Sequence, residues 1–142
     1  MSTPESRAAD DLAWVLTPLL ELPGVRHALI ATGDGLVEGA SPGLGRASAE
    51  RVAAMTATLH AAARAFTTAF TDAEAPGLQQ TVVESREGFA IVVPAGQNTS
   101  LALFADPEAQ LGNIAYQMQV QVAALARAMA APARQPDAAA RP

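Results

Sequence analysis

The chain contains no cysteine and no lysine. Without thiols there is no disulfide, no thiolate nucleophile and no cysteine-based zinc site. Without lysine there is neither a Schiff base nor the amine that grips phosphate in a Walker loop. All nine basic residues are arginine, which, beside abundant alanine and ten prolines, reads as the coding bias of a GC-rich genome. Aromatics make up only 4%, so the hydrophobic fraction of 50%, much of it alanine, overstates the large side chains available for a core. Positive charge is short too: the net charge is −5, and the arginines do not cluster as a phosphate backbone requires, which argues against a nucleic-acid partner. No apolar run approaches the ~18 residues of a membrane span. The opening MSTPESRAADD is polar and acidic, unlike a signal peptide. These absences read as a cytoplasmic protein with no membrane insertion.

Length and patterning predict one domain over residues 11–130, between a flexible N-terminus at 1–10 and a Pro/Ala-rich, disordered tail at 131–142. In DDLAWVLTPLLELPGV, Leu12, Val15, Leu16, Leu19 and Leu20 recur at helical spacing, so a helix is expected from about residue 6 to 21. Pro18 removes a donor and predicts a kink near Trp14, and Pro23-Gly24 stops the helix. VRHALIA and LVEGA read as strands around Thr32-Gly33-Asp34-Gly35, whose Asp-Gly pair predicts a type I′ hairpin. A long helix follows from about Ser48, as N-cap, to Thr71. On it, Val52, Met55, Leu59, Ala62, Phe66 and Phe70 form one stripe, read as the core face.

Three more strands come next. LQQTVVESR alternates, as an edge strand does; FAIVV and TSLALFA are continuous apolar runs, as central strands are. Asp106-Pro107 predicts the start of a last helix, with Leu111, Ile114, Met118, Val122, Leu125 and Met129 inward. The result is an α+β domain, a five-stranded antiparallel sheet flanked by helices in the order α-β-β-α-β-β-β-α.

The glycine-rich ALIATGDGLVEGASPGLGRAS matches several chemical motifs and fails each. Gly39-Ala40-Ser41-Pro42-Gly43 fits the G-x-S-x-G of a hydrolase elbow, but the elbow needs the N–H of the residue after serine, and Pro42 has none. The only histidine downstream is His60, inside a helix. Gly43-x-Gly45 would need a glycine where Ser48 stands, within a βαβ unit that is missing. His27 and His60 are the only histidines, and nothing in their spacing makes them converge with carboxylates on a metal. No catalytic, cofactor or metal site is expected.

Two surfaces remain. On the long helix, Ala54, Ala57, Ala61, Ala65 and Thr68 line up roughly opposite the large apolar stripe. That row is either a close helix–helix contact in a symmetric dimer or the outcome of alanine's helix propensity and this genome's bias. The last helix carries no charge between Glu108 and Arg127, and Tyr116 and Val120 point away from its core stripe. It is either covered by a partner or a neutral solvent face.

Three stretches carry a family resemblance: DLAWVLTPLLELPGVRHALIATGDGLVEGAS, QTVVESREGFAIVV and SLALFADPEAQLGNIAYQM. In that order they resemble the Roadblock (dynein light chain) family, most closely its actinobacterial, conservon-type members encoded beside Ras-like GTPases and sensor kinases. Gln117 stands where the family's A-Y-E-M has glutamate, and Pro18 interrupts the first helix. The resemblance implies the element order above. It also implies homodimers whose sheets join edge to edge with the middle helices together on one face, and a non-enzymatic role as partner of a small GTPase, scaffolding it or stimulating its hydrolysis. A sensor kinase complex is a further partner so implied. Arg51 and Arg64, which flank the middle helix, and Tyr116 and Val120 are the candidate partner contacts. The competing class is a small-molecule-binding sensor domain, which needs a pocket with polar groups among the central strands.

Overall fold

The computed structural model describes residues 12–130. The N-terminus expected to be flexible, the part of the first helix expected from about residue 6 to 11, the tail expected at 131–142 and the side chain of Met129 lie outside the described residues. The elements are α1 (Ala13–Leu20), β1 (Val25–Thr32), β2 (Val37–Ala40), α2 (Arg46–Thr71), β3 (Thr81–Ser85), β4 (Gly88–Pro94), β5 (Thr99–Ala105) and α3 (Leu111–Ala130). The strands form one sheet in the order β2-β1-β5-β4-β3, and every neighbouring pair is antiparallel. Short connections dictate this: β1-β2 and β3-β4-β5 are joined by turns too brief for a crossover. The two groups join where β5 pairs with β1 from Val25 opposite Ala105 to Thr32 opposite Thr99.

Each face of the sheet carries its own helices. Alternate residues Ala28, Ile30, Ile91, Val93, Leu101 and Leu103 point to one side, against Val15, Leu16 and Leu19 of α1 and Ile114, Met118, Val122 and Leu125 of α3. Leu29, Ala31, Val92 and Ala102 point to the other, where α2 lays Ala49 and Ala53. The period of two in the strands thus divides the core into a large half and a small one.

Glycine is demanded where the chain turns into β1. Gly24 has φ +88°, and a Cβ there would lie 2.7 Å from the Cβ of Ala109. The Gly24 carbonyl accepts the Asp106 amide at 2.8 Å, and Arg26 meets the Asp106 carboxylate at 2.7 Å. So the PGV and ADPEA stretches of the sequence, about eighty residues apart, are one joint.

Three local expectations need correction. The β1-β2 connection is not type I′, because Gly35 alone has positive φ. Its N–H bonds the Thr32 carbonyl at 2.9 Å, and the Thr32 N–H bonds Leu36, so Gly33-Asp34-Gly35 is a three-residue loop that glycine closes. The helix α2 starts at Arg46 behind Gly45, with no side-chain cap, and Ser48 sits exposed in its first turn. The last helix starts at Leu111: Asp106 to Gln110 form a separate turn, because Asp106 is held by Gly24 and Arg26 instead.

Candidate functional site

The serine of the G-x-S-x-G stretch is structural. Ser41 is 4% exposed, its hydroxyl accepts the Ala28 N–H at 3.2 Å, and its own N–H bonds the Ala28 carbonyl at 2.8 Å. A hydroxyl buried against a strand edge is not presented to a substrate. His27 lies in β1 and His60 on α2, and each has a buried Nδ1 with no hydrogen-bond partner among the described residues. Burial, then the charge of Arg64, holds the His60 pKa below its ordinary value of 6.5. Among the described residues no three His, Cys, Asp or Glu side chains gather as metal ligands. No described helix is long and apolar enough to cross a membrane.

The unsatisfied surface is on α2. Its 26 residues make a rod about 39 Å long, whereas the eight residues of β1 span about 27 Å. The helix therefore outreaches the strand beneath it, and its buried residues, Ala49, Ala53 and Thr56, all lie in its first half. Small side chains face the sheet because they let the helix backbone lie close to it. The stripe expected to be core is so only in part: Val52 and Leu59 pack half-buried against the sheet, but Met55 is 60% exposed, Phe66 67% and Phe70 75%. At 100° per residue that row sits on one flank of the sheet-facing line, and the alanine row sits on the other. Phe66 and Phe70 stack edge to face with ring centres 5.1 Å apart. Four threonines of α2, Thr56, Thr58, Thr67 and Thr71, bond carbonyls one turn back, so their hydroxyls leave the helix surface quiet.

Beside the large row lies an apolar groove of about 480 Å³. Val52, Met55 and Leu59 wall it, Leu29, Val92, Ala102 and Phe104 floor it, and Arg51 and His27 also line it. The second unsatisfied feature is β3, which with β2 ends the sheet, with Val82 and Val83 exposed and one edge unpaired among the described residues. An open edge with valines is a template for another strand.

The expected site residues separate. Ala54 and Ala57 pack against the Gly35 turn, where a Cβ on Gly35 would lie 3.2 Å from the Cα of Ala54. Ala61, Ala65 and Thr68 line a recess of about 340 Å³ together with Arg64, Glu74 and Pro76. The alanine row thus runs beside this chain's own turn and loop. Arg51 and Arg64 share α2, but Tyr116 and Val120 are exposed on α3, across the sheet, so the four candidate contacts do not form one surface. One of the α3 glutamines is structural, since Gln119 donates to the Gln79 carbonyl at 2.9 Å and ties down the approach to β3. The bare Phe66–Phe70 pair was missed, although the signal was present in a helix longer than any strand it could cover.

A five-stranded sheet with one helix on one face and two on the other, plus the joined PGV and ADPEA motifs, narrows the family. The Roadblock/LC7 domain model matches residues 12–105. The chain belongs to the Roadblock/LC7 family. A Roadblock/LC7 domain from Streptomyces avermitilis is 29% identical, with 82% of this chain and 96% of that one covered and a TM-score of 0.76. MglB in a tetrameric arrangement is 25% identical over 89% of this chain and 91% of its own, with a TM-score of 0.73. Profilin II of Acanthamoeba castellanii, 18% identical over 80% of this chain and 94% of its own, shares the fold at a TM-score of 0.50. Among curated proteins no sequence matches. Within this Roadblock domain, the β3 edge and the bare α2 row have no partner among the described residues, and the outer edge of β2 and the α3 side chains Tyr116 and Val120 are open as well.

Proposed function

We propose that this Roadblock domain is a homodimeric, non-enzymatic regulator or scaffold of a Ras-like small GTPase. Family membership supports the class of partner. The observation that carries the dimer is the coincidence, among the described residues, of a free β3 edge and a bare apolar α2 row, whose Phe66 and Phe70 are the two most exposed large hydrophobic side chains. Joining two β3 edges antiparallel about a two-fold axis makes one sheet of ten strands and keeps both α2 helices on the same face. On α2 the large row supplies the area, and the alanine row flanks it. Arg51 and Arg64 are the cations we assign to the GTPase contact on that face. Modulation of hydrolysis and attachment to a sensor kinase complex extend the same reading.

A small-molecule sensor is the alternative, and the groove is its one support. Its polar lining is His27, Arg51 and Thr56, and the Thr56 hydroxyl is already bonded to the Val52 carbonyl. That leaves little to read a polar ligand.

Light scattering on the full chain, with capture of a bacterial Ras-like GTPase in GDP and GTP forms, tests the proposal. A dimer mass that Val83→Lys lowers to a monomer, with GTPase captured, is the expected result. A wild-type monomer that captures no GTPase in either form overturns it.

A further inference from the structure

The sheet face opposite α2 has an open surface of its own. At 100° per residue, the α3 side chains turned away from the buried Met118 are Asn113, Tyr116, Val120 and Ala123, and all four are exposed. They recur at three, four and three residues, the spacing of a coiled-coil seam, along the outside of a helix whose other side is already in the core. Between Glu108 and Arg127 no residue is charged, although the whole chain carries a net charge of −5. Loss of charge around exposed tyrosine and valine marks a surface that is covered.

We propose that α3 pairs antiparallel with α3 of a second copy of this chain, with Tyr116 of each against Val120 of the other and Asn113 against Ala123. Three features select a second copy. The seam reads the same in both directions about position 118, and that centre sets each larger side chain against a smaller one. The uncharged span ends in an acid and a base, Glu108 before the helix and Arg127 in its last turn, both exposed. Antiparallel pairing brings Glu108 of each copy to Arg127 of the other, once at each end, whereas parallel pairing sets like charges together. Beside the seam, Gln117 faces its own copy across the two-fold axis, and an amide both donates and accepts, so the pair satisfies itself. Gln119, on the other flank, already donates to the Gln79 carbonyl at 2.9 Å.

This contact is separate from the homodimer reading above, because α3 and α2 lie on opposite faces of the sheet. One chain makes both contacts at once, and two homodimers meeting α3 to α3 close at four chains. The seam is short, about 15 Å from Asn113 to Ala123, so the association is weak and depends on concentration.

Sedimentation of the full chain from about 5 to about 500 µM tests this. The mass should rise from dimer to tetramer across that range. Tyr116→Glu should hold it at dimer throughout with unchanged circular dichroism, since that side chain is 64% exposed. Arg127→Glu and Glu108→Arg should each weaken the tetramer at least ~3-fold, and the two together should restore it. That rescue cannot arise within one chain, where Leu111 to Arg127 alone spans about 24 Å. A mass that stays dimeric at the highest concentration, or a tetramer that Tyr116→Glu leaves intact, overturns the α3 contact and leaves the homodimer standing. A double charge variant that does not recover overturns the antiparallel register. A wild type that passes only from monomer to dimer, with Tyr116→Glu and not Val83→Lys abolishing the dimer, overturns the homodimer reading and upholds the α3 contact.

Discussion

Ser41 and Ala28 hold each other twice inside the protein: the Ser41 hydroxyl accepts the Ala28 N–H at 3.2 Å, and the Ser41 N–H donates to the Ala28 carbonyl at 2.8 Å. Removing the hydroxyl leaves the Ala28 amide without its side-chain acceptor in a dry place. Ser41→Ala should destabilise the fold by about 1–3 kcal/mol, seen as a lower denaturation midpoint, while GTPase binding by the folded fraction is unchanged. A loss of binding at full stability would give Ser41 a role that its burial denies.

Gly24 sits in the left-handed region with Ala109 against it. Gly24→Ala should cost about 1–3 kcal/mol for the backbone alone, plus the overlap with the Ala109 methyl. Adding Ala109→Gly should recover the overlap and not the backbone cost, so the double variant melts between the single variant and the wild type. An undiminished melting temperature in Gly24→Ala would refute the packing of the PGV joint.

His60 gives the fold a pH dependence of known sign. Its folded-state pKa is lowered by burial and by Arg64, so the unfolded chain takes up a proton near pH 6.5 before the folded chain does. Stability is therefore full above pH 6.5 and declines as pH falls below it toward the lowered value. Urea midpoints measured from pH 8 to 5 should fall on the acid side, and His60→Gln should flatten that decline. A steeper or identical decline in the variant would contradict the assignment.

Element order and element types were legible because β periodicity and tight turns act over a few residues, whereas the long-range β1–β5 junction was not. The edge character of LQQTVVESR and the central place of FAIVV and TSLALFA followed from alternation against continuous apolar runs, and the sheet confirms both. Helix boundaries were less legible. Asp106 looks like a cap in isolation, but its partners are Gly24 and Arg26, which no local pattern discloses. The most instructive failure is on α2. Periodicity shows that Met55, Leu59, Phe66 and Phe70 share a face, and it is silent on whether the cover is this chain's sheet or another molecule. The sheet-facing line consists of Ala49, Ala53 and Thr56, which composition alone reads as unremarkable. Tyr116 and Val120 were read as outward-facing, and they are, but only the topology shows them across the sheet from Arg51 and Arg64.

The proposed recognition of a small GTPase by the α2 face is tested most directly by calorimetric titration. The chain is titrated with a bacterial Ras-like GTPase, loaded first with GDP and then with a non-hydrolysable GTP analogue. Binding should differ at least ~10-fold between the two nucleotide states, weakened by Arg51→Glu and Arg64→Glu and untouched by Tyr116→Ala. No heat of binding in either state, or binding lost with Tyr116→Ala and kept by both arginine variants, would contradict it.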